Sequence, residues 1–390
     1  MEADRAPLLN AAFARVWLGT FSIFATFGIL VLTLPLYVKD ELGHGSIGIG
    51  LAVGVASITA IIASPVSGRL SDRRGRRPLL IGGSLVVLGC YLALALGPTM
   101  PAILGIRLVA GAGEAAFVVA LYTVATDLAP RDRQGEAMSL VTLASYLGLT
   151  IGPVAADLIL GGDRFALVWS VAAALALVSL GTLVTLRETR PELDAPAPGG
   201  FLPPRDALLP GLMVLVGLLG FGGFAAFAAI YARDLGVGRP GLIFALFGGI
   251  IALVRLFGRR LPDAMGARRT LAYSFVALGV GLAIVGAWHS VAGLLVGTAV
   301  FAVGQALTYP AAVLLAMESA SVAERSAVVG SVGAFVDVAI GLGALILGAV
   351  ASVAGYRGAF LVASAVALSG LLVLTASSRS ARIPAEEGAL

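Results

Sequence analysis

Stretches of apolar residues, each about long enough to cross a bilayer, follow one another along almost the whole chain. Breaking the sequence at charges and at Gly/Pro punctuation leaves twelve of them, at 16–38, 47–67, 79–97, 102–126, 137–160, 165–186, 208–231, 241–257, 270–288, 291–317, 326–351 and 358–377. A hydrocarbon core of about 30 Å takes about 20 apolar residues per helix. The pattern therefore predicts an all-α membrane protein with twelve transmembrane helices. One long polar gap, "RETRPELDAPAPGGFLPPRD" from Arg187 to Asp206, is rich in Pro, Gly and charge and splits the runs six and six. It predicts an N-terminal six-helix bundle over 1–186, a linker over 187–207 and a C-terminal six-helix bundle over 208–390.

Composition agrees. Of 390 residues, 59% are hydrophobic and 12% charged, and the mean hydropathy is +1.00. Soluble domains of this length do not have such values. A pI near 9.5 would suggest nucleic acid for a soluble protein; here the cations have another use, and no nucleic-acid partner is expected. Cys90 is the only cysteine, so no disulfide forms within the chain. His44 and His289 are the only histidines, which argues against a histidine metal site. With no His cluster, no Ser/His/Asp set and no phosphate loop, an enzyme is not expected. The first apolar run is long and no Ala-x-Ala-like site follows it, so it reads as a span and not as a cleavable signal.

Charge orients the spans. If the N-terminus is cytoplasmic and the runs alternate, the inner segments, with Arg255 at the inner end of the eighth run, hold 20 of the 26 cations and the outer segments 5, with Arg107 inside a run. That is the positive-inside asymmetry. It predicts a multi-pass protein of the cell (inner) membrane, with both termini and the linker cytoplasmic. Trp17, Trp169 and Trp288 all fall near ends of runs, where an interfacial aromatic belt is expected.

The two halves repeat each other. "GRLSDRRGRR" (68–77) is echoed by "RRLPDAMGARR" (259–269), which matches Asp72 with Asp263, Gly75 with Gly266 and Arg77 with Arg268 at an offset of 191. Asp127 and Glu318 match at the same offset, and "YVKDELG" (37–43) is echoed by "YARDLG" (231–236). Parallel repeats of this kind place a binding site at their interface near mid-membrane.

The loop between the second and third runs carries Gly68, Leu70, Asp72, Gly75, Arg76 and Arg77. In that position it resembles the signature loop of the major facilitator superfamily, and the degenerate copy in the second half extends the resemblance over essentially the whole chain. The resemblance implies two pseudo-symmetric six-helix bundles working by alternating access. It also implies that Asp72 engages the cytoplasmic start of the eleventh helix, where Arg325 stands, in one state only; an anion near a helix N-terminus is favourable. Most of the arginines anchor the loop on the cytoplasmic face, and Gly75 permits a tight turn. "GLTIGPVAAD" (148–157) resembles a helix element of the twelve-helix drug–proton antiporters, through Gly148, Gly152 and Pro153; the closing Gly-Gly of that element is Ala156-Asp157 here. Small residues four apart also let helices approach closely, whatever the function. "RLVAGAGEAA" (107–116) resembles the family's fourth-helix pattern; its glycines are no dinucleotide-binding turn, because no strand precedes them.

Ionisable residues within spans mark function by default. Arg107 and Glu114 lie seven residues apart on one helix face, with Glu114 near the middle of its run. Asp337 is central in the eleventh run, whereas Asp157 is close to the outer loop and hydrated. Asp127 and Glu318 stand at the inner ends of the fourth and tenth runs. Glu114 is the first candidate for proton coupling, with Arg107 setting its charge and Asp337 as the second candidate. The chain has one asparagine, Asn10 in the N-terminal tail, and two glutamines, of which only Gln305 lies in a run. Few buried amides are available for a sugar or nucleoside. Phe21, Phe24, Phe27, Tyr146, Phe224, Phe227, Tyr231, Tyr309 and Phe335 are the aromatic candidates for a cavity wall. The expectation is a monomeric, proton-coupled exporter of lipophilic, even cationic, small molecules, with the proton gradient as energy source and no cofactor or metal. A specific metabolite transporter of the same fold is the alternative, with Gln305 lining a polar pocket; a receptor or scaffold that no longer transports is the other.

Overall fold

The computed structural model describes residues 10–130, 133–161, 164–189, 204–258, 261–319 and 325–380. The described elements are all helical: α1 (Ala11–Asp40), α2 (Ser46–Gly54), α3 (Ala56–Arg74), α4 (Arg77–Ala95), α5 (Met100–Asp127), α6 (Gln134–Leu160), α7 (Phe165–Val184), α8 (Arg205–Asp234), α9 (Gly241–Phe257), α10 (Leu261–Met265), α11 (Ala267–Ala287), α12 (Val291–Ser319) and α13 (Arg325–Ser380). Helix boundaries follow local chemistry. Asn10, the lone asparagine, caps α1 by accepting the Phe13 amide at 2.9 Å. Prolines in the first turn start α4 and α5, where no backbone donor is lost.

Among the described residues, ten helical segments are long and apolar enough to cross a membrane, with α2 and α3 counted as one and α13 as one. The 17-residue α9 is a shorter apolar helix. α13 is interrupted at Gly355, whose φ of 69° is not helical. This is where the sequence separates its last two runs.

The chain divides into two compact units. Unit 1 holds residues 1–201 together with 228–248, and unit 2 holds 202–227 and 249–390. The last turns of α8 thus belong with unit 1, which the linker-based division does not anticipate. In unit 1, α1 packs on α6 and α7, α5 on α3 and α4, and α4 on α7. In unit 2, α11 packs on α12 and on α13.

The internal repeat is visible within each unit. Gly75 and Gly266, matched at the 191 offset, both take positive φ (97° and 81°) at the turn into α4 and α11. Gly152 of α6 lies so close to α1 that a Cβ would strike the Ala25 carbonyl; its counterpart Gly343 of α13 lies equally close to the Leu219 carbonyl of α8. The Gly148–Gly152 element therefore makes a close helix seam in unit 1. Trp169 corrects the belt assignment. It is fully buried, donates from Nε1 to Thr33 Oγ1 at 3.0 Å and packs edge-on against Tyr37. Trp288, at the end of α11, is 53% exposed.

Candidate functional site

α5 presents Arg107 and Glu114 on one face, two turns apart, toward α1 and α4. The Arg107 guanidinium meets Glu114 Oε1 at 3.1 Å. The Arg107 side chain is 10% exposed and that of Glu114 24%, so the acid is the more accessible of the two. Arg107 Nε has no hydrogen-bond partner in the structure. A void of about 10 Å³ touches both residues together with Leu30, Cys90 and Tyr91, about the least that can hold one water. Separating such a pair by removing one member leaves an uncompensated charge, at about 3–5 kcal/mol. Its retention at membrane depth calls for a use.

The signature loop is a network rather than a solvated run of cations. Arg76 is only 4% exposed. Its Nε meets Asp127 Oδ2 at 3.1 Å and its NH2 meets Asp72 Oδ1 at 3.6 Å. NH1 also donates to the Ser71 carbonyl. Glu188, just after α7, accepts the amides of Arg76 at 2.8 Å and Arg77 at 3.1 Å, and so caps the start of α4 with an anion. Thr189 donates its hydroxyl to Asp127 at 3.0 Å. Gly75 has to be glycine twice over: its φ is positive, and Glu188 occupies the space of a Cβ. The anchoring role expected of most of the arginines thus gives way, at Arg76, to that of a buried hub; Arg77 donates to the Val184 carbonyl. Sequence reading missed Glu188, which sits at the edge of the polar linker with nothing in its neighbours to single it out. The side chains of Asp263 and Arg325, the proposed counterparts in the latch, lie outside the described residues. Gly68 borders open space.

In unit 2, Gln305 lies on α12 with its Oε1 buried and without a partner, and Thr298, one turn-pair earlier, has a fully buried Oγ1 in the same condition. Asp337 and Tyr309 are half-buried. The aromatic candidates divide. Phe21, Phe24 and Phe27 form one half-buried stripe along α1, with Phe24 edge-on to Phe27 at 5.3 Å. Phe224 and Phe227 are fully enclosed, packed against Phe301 and Tyr356 respectively. Tyr231 is also buried. Tyr146 and Phe335 are half-buried, and the Phe335 ring covers Gly211. Asp157, expected to be hydrated near the outer loop, accepts the Gly241 amide at the start of α9 at 3.3 Å.

The echo between "YVKDELG" and "YARDLG" also becomes geometry. Lys39 pairs with Asp234 at 3.2 Å, and Arg233 pairs with Asp40. Each motif offers a cation followed by an acid, and within unit 1 the two dipeptides satisfy each other reciprocally. The sequence holds the signal in the repeated order of charges, but nothing in it shows that the copies meet.

Membrane-length helices, a repeated signature loop and a buried ion pair in the fourth long helix define a polytopic transporter. The family model described as Major Facilitator Superfamily matches residues 16–238 and 210–389, and the chain belongs to that family. An uncharacterized MFS-type transporter of Salmonella typhimurium is 27% identical over 372 residues, covering 92% of this chain and 95% of its own. A homolog of the multi-drug resistance efflux pump PmrA in Lactococcus lactis is 25% identical over 280 residues, covering 67% and 68%. Among solved structures, a D323A mutant of the nucleoside transporter NupG matches with a TM-score of 0.81 at 14% identity, covering 94% of this chain and 99% of its own. The human organic anion transporter MFSD10 matches at 0.72 and 19%, covering 95% and 100%. At such identities these structures speak for the fold alone.

Proposed function

We propose that the chain is a secondary transporter that exports lipophilic small molecules in exchange for protons, by alternating access, as a monomer in the inner membrane with both termini cytoplasmic. Counting α13 as two spans and adding α9 makes twelve. The observation that carries the reading is the Arg107–Glu114 pair. An acid inside a span is retained at a cost of at least about 2.5 kcal/mol, and a same-face cation lets it exchange a proton for a counter-ion as its surroundings change. The half-buried phenylalanines of α1 suit an apolar substrate, and the efflux-pump relative is consistent with one. Asp337 is the second acid. The Asp72 loop and the Lys39–Asp234 and Asp40–Arg233 pairs are contacts at opposite ends of the spans that form and break as the transporter alternates. Reconstitution into liposomes with an imposed pH gradient and a panel of lipophilic dyes tests the proposal. Dye accumulation driven by the gradient supports it; flux that ignores the gradient refutes the coupling.

Thr298 and Gln305 favour a second reading, transport of a specific metabolite. Buried polar atoms without partners are costly, about 1–3 kcal/mol each, and a polar substrate would satisfy them. Uptake or export of one hydrophilic compound, with lipophilic dyes inert, would establish this reading in place of the first.

A further inference from the structure

A second cavity on unit 1 lies away from the ion pair. It measures about 610 Å³ and is lined by residues of α3, α4 and α5. Volumes of about 300–1,000 Å³ are those of small-molecule sites. Leu70 of α3, Gly82 and Val86 of α4, and Val109 and Ala112 of α5 line it, and Arg74 is the one charged residue on its wall. With helical spacing of about 100° per residue, Val109 and Ala112 lie on the face of α5 turned away from Arg107 and Glu114. The groove therefore does not serve the coupling pair. Val109 is 57% exposed, and a Cβ at Gly82 would meet no atom within 4 Å. The surface is open apolar space on a membrane-spanning bundle.

Arg74 gives the groove a chemical preference. It is exposed, and no ion pair is formed by it among the described residues. The charges beside it are engaged: Arg76 with Asp127, and the Arg76 and Arg77 amides with Glu188. A guanidinium at the end of an apolar groove matches a phosphate-bearing headgroup above an acyl chain. We propose that this groove is a binding site for an anionic phospholipid of the leaflet bordering the 68–77 loop, with one acyl chain between α3 and α4 and the headgroup on Arg74.

Native mass spectrometry of the purified, delipidated full chain tests this, by titration with phosphatidylglycerol and with phosphatidylcholine of the same acyl chains. Phosphatidylglycerol should be retained about fivefold more strongly, the effect of one arginine at an anionic headgroup. Arg74→Gln should abolish the preference and keep the binding. Arg73→Gln, one residue away and outside the groove, should leave the preference intact. Gly82→Leu fills the space and should remove the retained lipid of either kind. Equal retention of the two lipids by the parent, or equal loss of preference in Arg73→Gln and Arg74→Gln, overturns the proposal. So does lipid that survives Gly82→Leu, or displacement of the lipid by a transported dye at equal concentration. Arg74→Gln changes an exposed side chain and decides the matter even if Gly82→Leu fails to fold.

Discussion

α5 and α12 occupy the same place in the two halves, and their polar positions correspond at the offset of the repeat. Arg107 and Glu114 of α5 stand where α12 has Thr298 and Gln305. In α5 the two positions satisfy each other as an ion pair at 3.1 Å. In α12 they are neutral, too short to meet across two turns, and their Oγ1 and Oε1 atoms are buried without partners. One duplicated framework thus holds an ion pair in one half and unspent hydrogen-bonding capacity in the other. The loops differ in the same sense. Arg76 is the buried hub of the first-half loop, and its counterpart at the same offset is Ala267, buried and apolar. Duplication preserved the backbone, down to the positive φ of Gly75 and Gly266, while position 76 became the hub of an ionic network and its counterpart 267 stayed apolar.

Glu114→Gln should have the largest effect on this comparison, because it makes α5 neutral like α12. Gradient-driven export in liposomes should fall at least tenfold, to background, while substrate exchange without a gradient persists. Export at the parental rate would leave the pair a structural contact and pass the coupling role to Asp337.

Arg76→Met comes next. It leaves Asp127, whose side chain is 18% exposed, without its cation, and should cost about 3 kcal/mol of stability by the arithmetic of a broken buried pair. Thermal unfolding in detergent measures it. Asp72→Asn removes only the 3.6 Å contact of a 46% exposed carboxylate and should change stability by under about 0.5 kcal/mol. If Asp72 is a latch, flux falls severalfold without that loss; unchanged flux removes the latch.

Gln305→Leu sharpens the other side. Removing a buried acceptor that lacks a partner should leave stability level or raise it by about 1 kcal/mol. A rise in KM without loss of stability would mark Gln305 as a substrate contact; an unchanged KM would assign it to packing.

The smallest effect belongs to the reciprocal pairs of α1 and α8. Exposed ion pairs contribute about 0.2–1 kcal/mol each, so Asp40→Arg alone should slow transport no more than a few-fold. Adding Arg233→Asp should restore it by re-forming the pair in reverse. A double variant no better than the single one would show that the pairing does not matter to transport.

Most of the helical framework was legible in the chain. Apolar length is a local property, so the predicted runs fall on the helices; α1 begins a few residues earlier than its run because Asn10 caps it there, and α8 because its polar first turn, Arg205-Asp206, is helical too. The glycines at 75 and 266 were legible because a positive φ has a residue signature. Trp169 was misplaced because proximity to a run's end is no measure of depth in a bundle, and only Thr33 and Tyr37 show it to be internal. Glu188 was invisible, being one acid among many in a polar stretch.

The sequence by itself determined that the chain spans a membrane many times, that it is built from a duplicated unit, and which acids lie in spans. Those follow from the hydropathy, the period and the order of the residues, and no partner is needed to read them. The tertiary structure decided how the charges are paired: Glu114 with Arg107, Arg76 with both Asp72 and Asp127, Lys39 with Asp234. It also decided which aromatics are enclosed and that a groove beside Arg74 stays open. A charge interacts through space across a few ångströms, and residues that meet at that distance can be 51 apart in sequence, like Arg76 and Asp127, or 195 apart, like Lys39 and Asp234.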